Sequence, residues 1–125
     1  MLRVSREQDC EVAHLPGRDW LYLIGPKNSP AQNMTFGVAI FFPNAETSAH
    51  VHDMQEEIIY ILSGRGRQLA GDQEIPLEPG VAVYTPSGVP HQVIVDGEEP
   101  LKLVTVFSPP VVPGSYDPKS HPDRN

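Results

Sequence analysis

Turn-forming residues cut this chain into short segments, and that punctuation constrains it more than any other feature. Pro16-Gly17, Gly25-Pro26, Pro43-Asn44, Gly64, Gly71-Asp72 and Pro86-Ser87-Gly88 each separate brief apolar runs. An interior proline costs a helix about 3 kcal/mol, so 14 prolines in 125 residues exclude a helical bundle. The runs between the breakers are rich in β-branched and aromatic residues, which predicts strands over 10–15, 20–24, 34–42, 57–63, 67–70, 74–77, 81–85, 91–95 and 101–107. Gly71-Asp72 is a dipeptide suited to a tight hairpin. The expectation is one all-β domain over residues 1–108, followed by an extended proline-rich tail over 109–125 that cannot supply ladder donors.

One run says something about assembly. Ile58-Ile59-Tyr60-Ile61-Leu62 is apolar on both parities, whereas a strand wetted on one side alternates. Both faces are therefore expected to be covered, the outer one by the N-terminal strands or by a second copy in a homodimer.

Charge narrows the partners. Nine Lys and Arg against 16 Asp and Glu give a net charge of −7, and the largest basic cluster is Arg65-Gly66-Arg67. A nucleic-acid binder needs a basic footprint to exchange for counterions, and an anionic membrane selects for the same feature, so neither is expected as a partner. The first ten residues contain no apolar core of a leader, and no run approaches the roughly 18 apolar residues of a membrane span. Cys10 is the single cysteine, which excludes an internal disulfide and a cysteine-rich zinc site. A cytoplasmic protein acting on a small molecule is the expectation.

The chemistry is concentrated in a few residues. His50-Val51-His52 places two imidazoles on one face of a strand, because side chains two apart share a face. Glu57 follows across a short loop, and His91 comes after the Pro86-Ser87-Gly88 turn. Glu56 competes with Glu57, but adjacent strand residues face opposite ways, so only one can join the histidines. Three imidazoles and a carboxylate form an N/O donor set suited to Fe, Mn, Ni, Co, Cu or Zn. Four such ligands around an octahedral ion leave two positions open.

The spacing of these residues resembles that of the cupin family. Asn44-(x)5-His50-x-His52-(x)4-Glu57-(x)6-Gly64 is similar to the first cupin motif, with Asn44 where glycine is usual. Gly80-(x)5-Pro86-x-Gly88-(x)2-His91-(x)3-Val95 is similar to the second, with Val95 where asparagine is usual. The resemblance implies a double-stranded β-helix, a jelly-roll-like barrel, holding one divalent transition metal through His50, His52, Glu57 and His91. It also implies an enzyme of dioxygenase, isomerase, lyase or decarboxylase type on a small oxygenated substrate, the alternative being a non-catalytic ligand-binding module. Gln55 and Gln92 are candidate acceptors for the ring N–H groups, Asp53 a candidate acid or base. Phe36, Ile40, Phe42, Ile59, Ile61, Val93 and Phe107 are candidate pocket walls. Arg65 and Arg67 read as solvated edge charges, and His14 and His121 as surface residues.

Overall fold

The computed structural model describes residues 2–45 and 47–111. A short 3-10 turn, Glu7–Asp9, precedes nine strands: β1 (Glu11–Leu15), β2 (Arg18–Ile24), β3 (Thr35–Phe41), β4 (Glu56–Ser63), β5 (Arg65–Ala70), β6 (Gln73–Leu77), β7 (Ala82–Thr85), β8 (Gln92–Asp96) and β9 (Leu101–Ser108). Every strand expected from the breakers is present. They form a six-stranded sheet, β1-β2-β3-β9-β4-β7, and a three-stranded sheet, β6-β5-β8. All pairings are antiparallel. The fold is an all-β jelly-roll barrel. Gly71-Asp72 closes the β5–β6 hairpin between the paired residues Ala70 and Gln73. Among the described residues, no helix is long and apolar enough to cross a membrane.

The core lies between the sheets and is built by strict alternation. In β4, Glu57, Ile59 and Ile61 are buried; in β9, Leu101, Leu103, Thr105 and Phe107 are. The register sets Ile59 beside Thr105 and Ile61 beside Leu103, so the two inner rows merge. Trp20 anchors the same face, packing edge-on against Tyr22 and Phe107 and donating its indole N–H to Thr105 Oγ1 at 2.9 Å. Its ring occupies the space above Gly37, where an added Cβ would lie 2.5 Å from the indole nitrogen. Glycine at 37 is thus a packing requirement of Trp20.

Two features differ from the sequence expectation, and a third concerns a segment whose course the sequence leaves open. In β3 the inward residues are Thr35, Gly37, Ala39 and Phe41, so Phe36 and Ile40 point outward and are not pocket walls. The strand is apolar on both parities because Val38 and Ile40 have an apolar cover of their own in Leu21, Leu23 and Cys10. The N-terminal strands extend the edge of the large sheet instead of layering over β4, so Ile58, Tyr60 and Leu62 remain 47%, 45% and 42% exposed. Finally, the proline-rich segment begins docked. Val111 is buried in the core, and Thr35 Oγ1 both donates to its carbonyl (3.2 Å) and accepts from its N–H (3.0 Å). A side-chain hydroxyl here replaces the ladder that prolines forbid. The remainder of the tail, with His121, lies outside the described residues.

Candidate metal centre

Backbone pairing brings the three histidines together. His50 and His91 form an isolated antiparallel bridge, each N–H donating to the other's carbonyl at 2.9 Å. The Pro86-Ser87-Gly88 turn is fastened to the same segment, since Gly88 N–H donates to the His52 carbonyl at 2.8 Å. Gly88 has φ +80°, a conformation that side-chain-bearing residues rarely adopt. Asn44, at the start of the first motif, has φ +60°. That explains how asparagine stands in for glycine there, since asparagine tolerates the left-handed region better than most residues. Thr47 closes the arrangement: its hydroxyl donates to the Val93 carbonyl, and its own carbonyl accepts from Gln92 Nε2, both at 2.6 Å.

The imidazoles cluster at one end of the barrel. Ring centroids are 4.4 Å apart for His50 and His91, 5.1 Å for His50 and His52, and 5.3 Å for His52 and His91. One nitrogen from each ring lies within 4.8 Å of the others. Glu57 reaches inward from β4, with Oε1 3.2 Å from His91 Nε2 and 3.6 Å from His52 Nε2. Glu56 faces the other way and accepts a 2.7 Å hydrogen bond from the Tyr84 hydroxyl on the exposed face. Glu57 is therefore the carboxylate that lines the cavity with the histidines.

Electrostatics disfavour the charged form of two of these rings. Burial, then the positive charges of Arg18 and the neighbouring imidazoles, lowers the His50 pKa to about 2. Burial lowers His52 to about 4 against the opposing pull of Glu57. Both rings are neutral at neutral pH, as metal ligands must be. At His91 burial also disfavours charge, but the Glu57 carboxylate and the Val89 carbonyl outweigh it and raise the pKa. His91 Nδ1 lies 2.9 Å from the Val89 carbonyl, which fixes the ring with Nε2 turned toward Glu57 and the cavity. Convergent imidazoles, two of them kept neutral, beside a carboxylate fit a divalent transition metal.

Other candidates fall elsewhere. Gln92 clamps Thr47, and Gln55 Nε2 donates to the Pro110 carbonyl at 3.4 Å, so neither is the acceptor for His91. Asp53 is exposed. Arg65 and Arg67 are surface charges paired with Glu78 and with Glu74 and Asp96. His14 pairs with Asp19 at 2.7 Å on the surface. Of the proposed walls, Ile59, Val93 and Phe107 line the cavity. Arg18, only 4% exposed, lines it too and is absent from the sequence reading. Its parity with Trp20 on one strand was the available signal. The free space amounts to about 20 Å³, little more than the roughly 10–15 Å³ that one water needs.

Comparison with known proteins adds family context. A family model described as "Cupin domain" matches residues 37–107. An uncharacterised protein of Methanocaldococcus jannaschii is 31% identical over 101 residues, covering 81% of this chain and 74% of its own. The polyketide synthase CurC of Streptomyces cyaneus is 27% identical over 107 residues, covering 86% and 70%. Among solved structures, the polyketide cyclase RemF from Streptomyces resistomycificus superposes with a TM-score of 0.74 at 23% identity, covering 86% of this chain and 80% of that one.

Proposed function

The chain belongs to the cupin family, and we propose that it is a metal-dependent enzyme acting on a small oxygenated organic molecule. His50, His52, Glu57 and His91 would hold one divalent transition metal. The observation that carries this reading is the mutual approach of three imidazole nitrogens within 4.8 Å, His52 and His91 buried and His50 half-buried, with Glu57 against two of them. A bound ion would supply Lewis acidity, or one-electron chemistry if it is redox-active. The chain's own residues do the rest. Val89 fixes the His91 ring through Nδ1, and Ile59, Val93 and Phe107 exclude bulk water. With so little free space, only the reacting end of a substrate enters. The polyketide name of the Streptomyces cyaneus relative favours an oxygen-rich carbon skeleton.

The Fe(II), Mn, Ni and Zn forms should be tested against diketones, catechols, and hydroxy and oxo acids, following substrate loss and oxygen uptake in parallel. The expected result is metal-dependent turnover that a chelator abolishes, and the oxygen trace then assigns it to oxidative or Lewis-acid chemistry. Stoichiometric ligand binding with no turnover in any form would make the protein a binding module instead.

The same proposal includes a homodimer in a cytoplasmic setting. Ile58, Tyr60, Leu62 and Tyr84 are all more than two-fifths exposed on the outer face of the large sheet, and Phe36 is 39% exposed. Such contiguous apolar surface marks an interaction site. Sedimentation at micromolar concentration should give about twice 13.8 kDa. Ile58→Asp should give the monomer, and a monomeric wild type would contradict the dimer.

A further inference from the structure

We propose that Thr105 binds the ligand directly: its hydroxyl donates a hydrogen bond to an acceptor oxygen at the inserted end, selecting a carbonyl or carboxylate over an apolar end. The inference rests on the metal-centre reading above and adds a second polar contact for the ligand.

Thr105 interrupts an otherwise apolar row. The inward residues of β9 are Leu101, Leu103, Thr105 and Phe107, and a valine would fill the same volume on a strand equally well. The register places Thr105 between Gly37 on β3 and Ile59 on β4, one inward step from the Glu57–Phe107 pair. Two residues along a strand span about 7 Å, so the two rows lie within the length of a small molecule. Thr105 is 3% exposed and lines the same cavity as Glu57 and the three histidines.

Trp20 fixes the direction of the hydroxyl. An indole N–H only donates, so in the 2.9 Å bond between Trp20 Nε1 and Thr105 Oγ1 the hydroxyl is the acceptor. A hydroxyl that holds an N–H on its lone pair turns its own proton elsewhere. The backbone of the flanking strands is committed to the β3–β9 and β4–β9 ladders. The proton therefore faces the cavity, where Thr105 is the only hydroxyl-bearing residue among the described residues that line it. Accepting from Trp20 uses the lone pair alone, and the proton serves recognition. Ile59, Leu103 and Phe107 around it offer no side-chain hydrogen bond, so a ligand oxygen meeting this proton gains a bond that a methyl group does not. The free space of about 20 Å³ suits a terminal oxygen at this point.

The test loads the whole chain with Ni and titrates it with two probes. Acetate carries a second acceptor oxygen on its carboxylate, whereas ethanethiol binds an ion through sulfur and ends in a methyl group. Thr105→Val keeps the volume and should bind acetate about 10–100-fold more weakly than wild type, the usual effect of deleting a hydrogen bond to a charged group. Its ethanethiol and Ni affinities should stay within about 3-fold of wild type. Thr105→Ser restores the hydroxyl and should return acetate affinity to within about 3-fold. If Thr105→Val does not fold without an acceptor for Trp20, Thr105→Cys takes its place. It is similar in size but a weak donor, and should weaken acetate binding by about 3–10-fold. A hydroxyl that serves Trp20 alone predicts a lower Tm for Thr105→Val with acetate affinity unchanged, and that result overturns the proposal while leaving the metal reading intact. Equal losses for acetate and ethanethiol overturn it as well, as does a Ni-loaded wild type that binds no acetate. A wild type that takes up no Ni, Fe, Mn or Zn overturns the metal reading, and this proposal with it.

Discussion

His52→Ala is expected to weaken divalent-metal binding by at least about 100-fold while leaving the far-ultraviolet circular dichroism of the barrel unchanged. Losing a group that merely orients a ligand already costs about 10–100-fold in affinity, and His52 is proposed as a ligand itself. It is 3% exposed, with its ring 5.0 Å from that of Phe107, so alanine leaves a small cavity at one end of the core. Thermal unfolding separates the two effects. A metal at 100 times its Kd stabilises the wild type by about 2.7 kcal/mol, and the variant should gain almost none at the same concentration. Equal metal-induced shifts in Tm for the two proteins would remove His52 from the ligand set. Isothermal titration measures the affinity directly, and the melting curves show that any loss is not simply unfolding.

Ile61→Ala is expected to have the largest effect on stability without touching the centre. Ile61 is 1% exposed in the middle of β4, paired with Leu103 on β9, and does not line the histidine cavity. Truncating a fully buried isoleucine costs about 2–5 kcal/mol, which for a domain of this size lowers Tm by roughly 10 °C. Ile58→Ala, three residues earlier on the outer face, removes the same atoms from a side chain that is 47% exposed. Its cost should be under half that of Ile61→Ala when both are melted at concentrations low enough to keep the chains monomeric. Equal losses would mean that the two faces of β4 are equally buried in the isolated chain, against the alternation described above.

Much of this architecture is legible in the residues because breakers and strands are local signals. Gly71-Asp72 specifies its hairpin without reference to the rest of the chain, and Pro86-Ser87-Gly88 is identifiable as the turn before His91. The convergence of His50, His52 and His91 is legible through motif spacing, although the bridge between His50 and His91 is a long-range event that no local propensity encodes. The choice between Glu56 and Glu57 comes down to parity, which the flanking loop could have reset.

What was not legible depends on the third dimension. In β3, both parities are apolar, and only the register with β2 and β9 shows that Ala39 and Phe41 face inward. Arg18 looks like an ordinary charged residue after a turn, until pairing with Phe41 turns it toward the cavity. Val111 sits in a proline-rich stretch that has no strand signal, yet Thr35 holds it against the core through two hydrogen bonds. In each case a distant partner decides the outcome, and the sequence pattern near the residue carries no trace of that partner.

Metal content is the most direct measure of the central claim. The protein should be purified without added metal, analysed by inductively coupled plasma mass spectrometry, then stripped and titrated with Fe(II), Mn, Ni and Zn. A centre made by His50, His52, Glu57 and His91 predicts saturation at about one ion per chain, lost in the His52→Ala variant. A chain that is empty on purification and takes up none of the four ions on titration would contradict it.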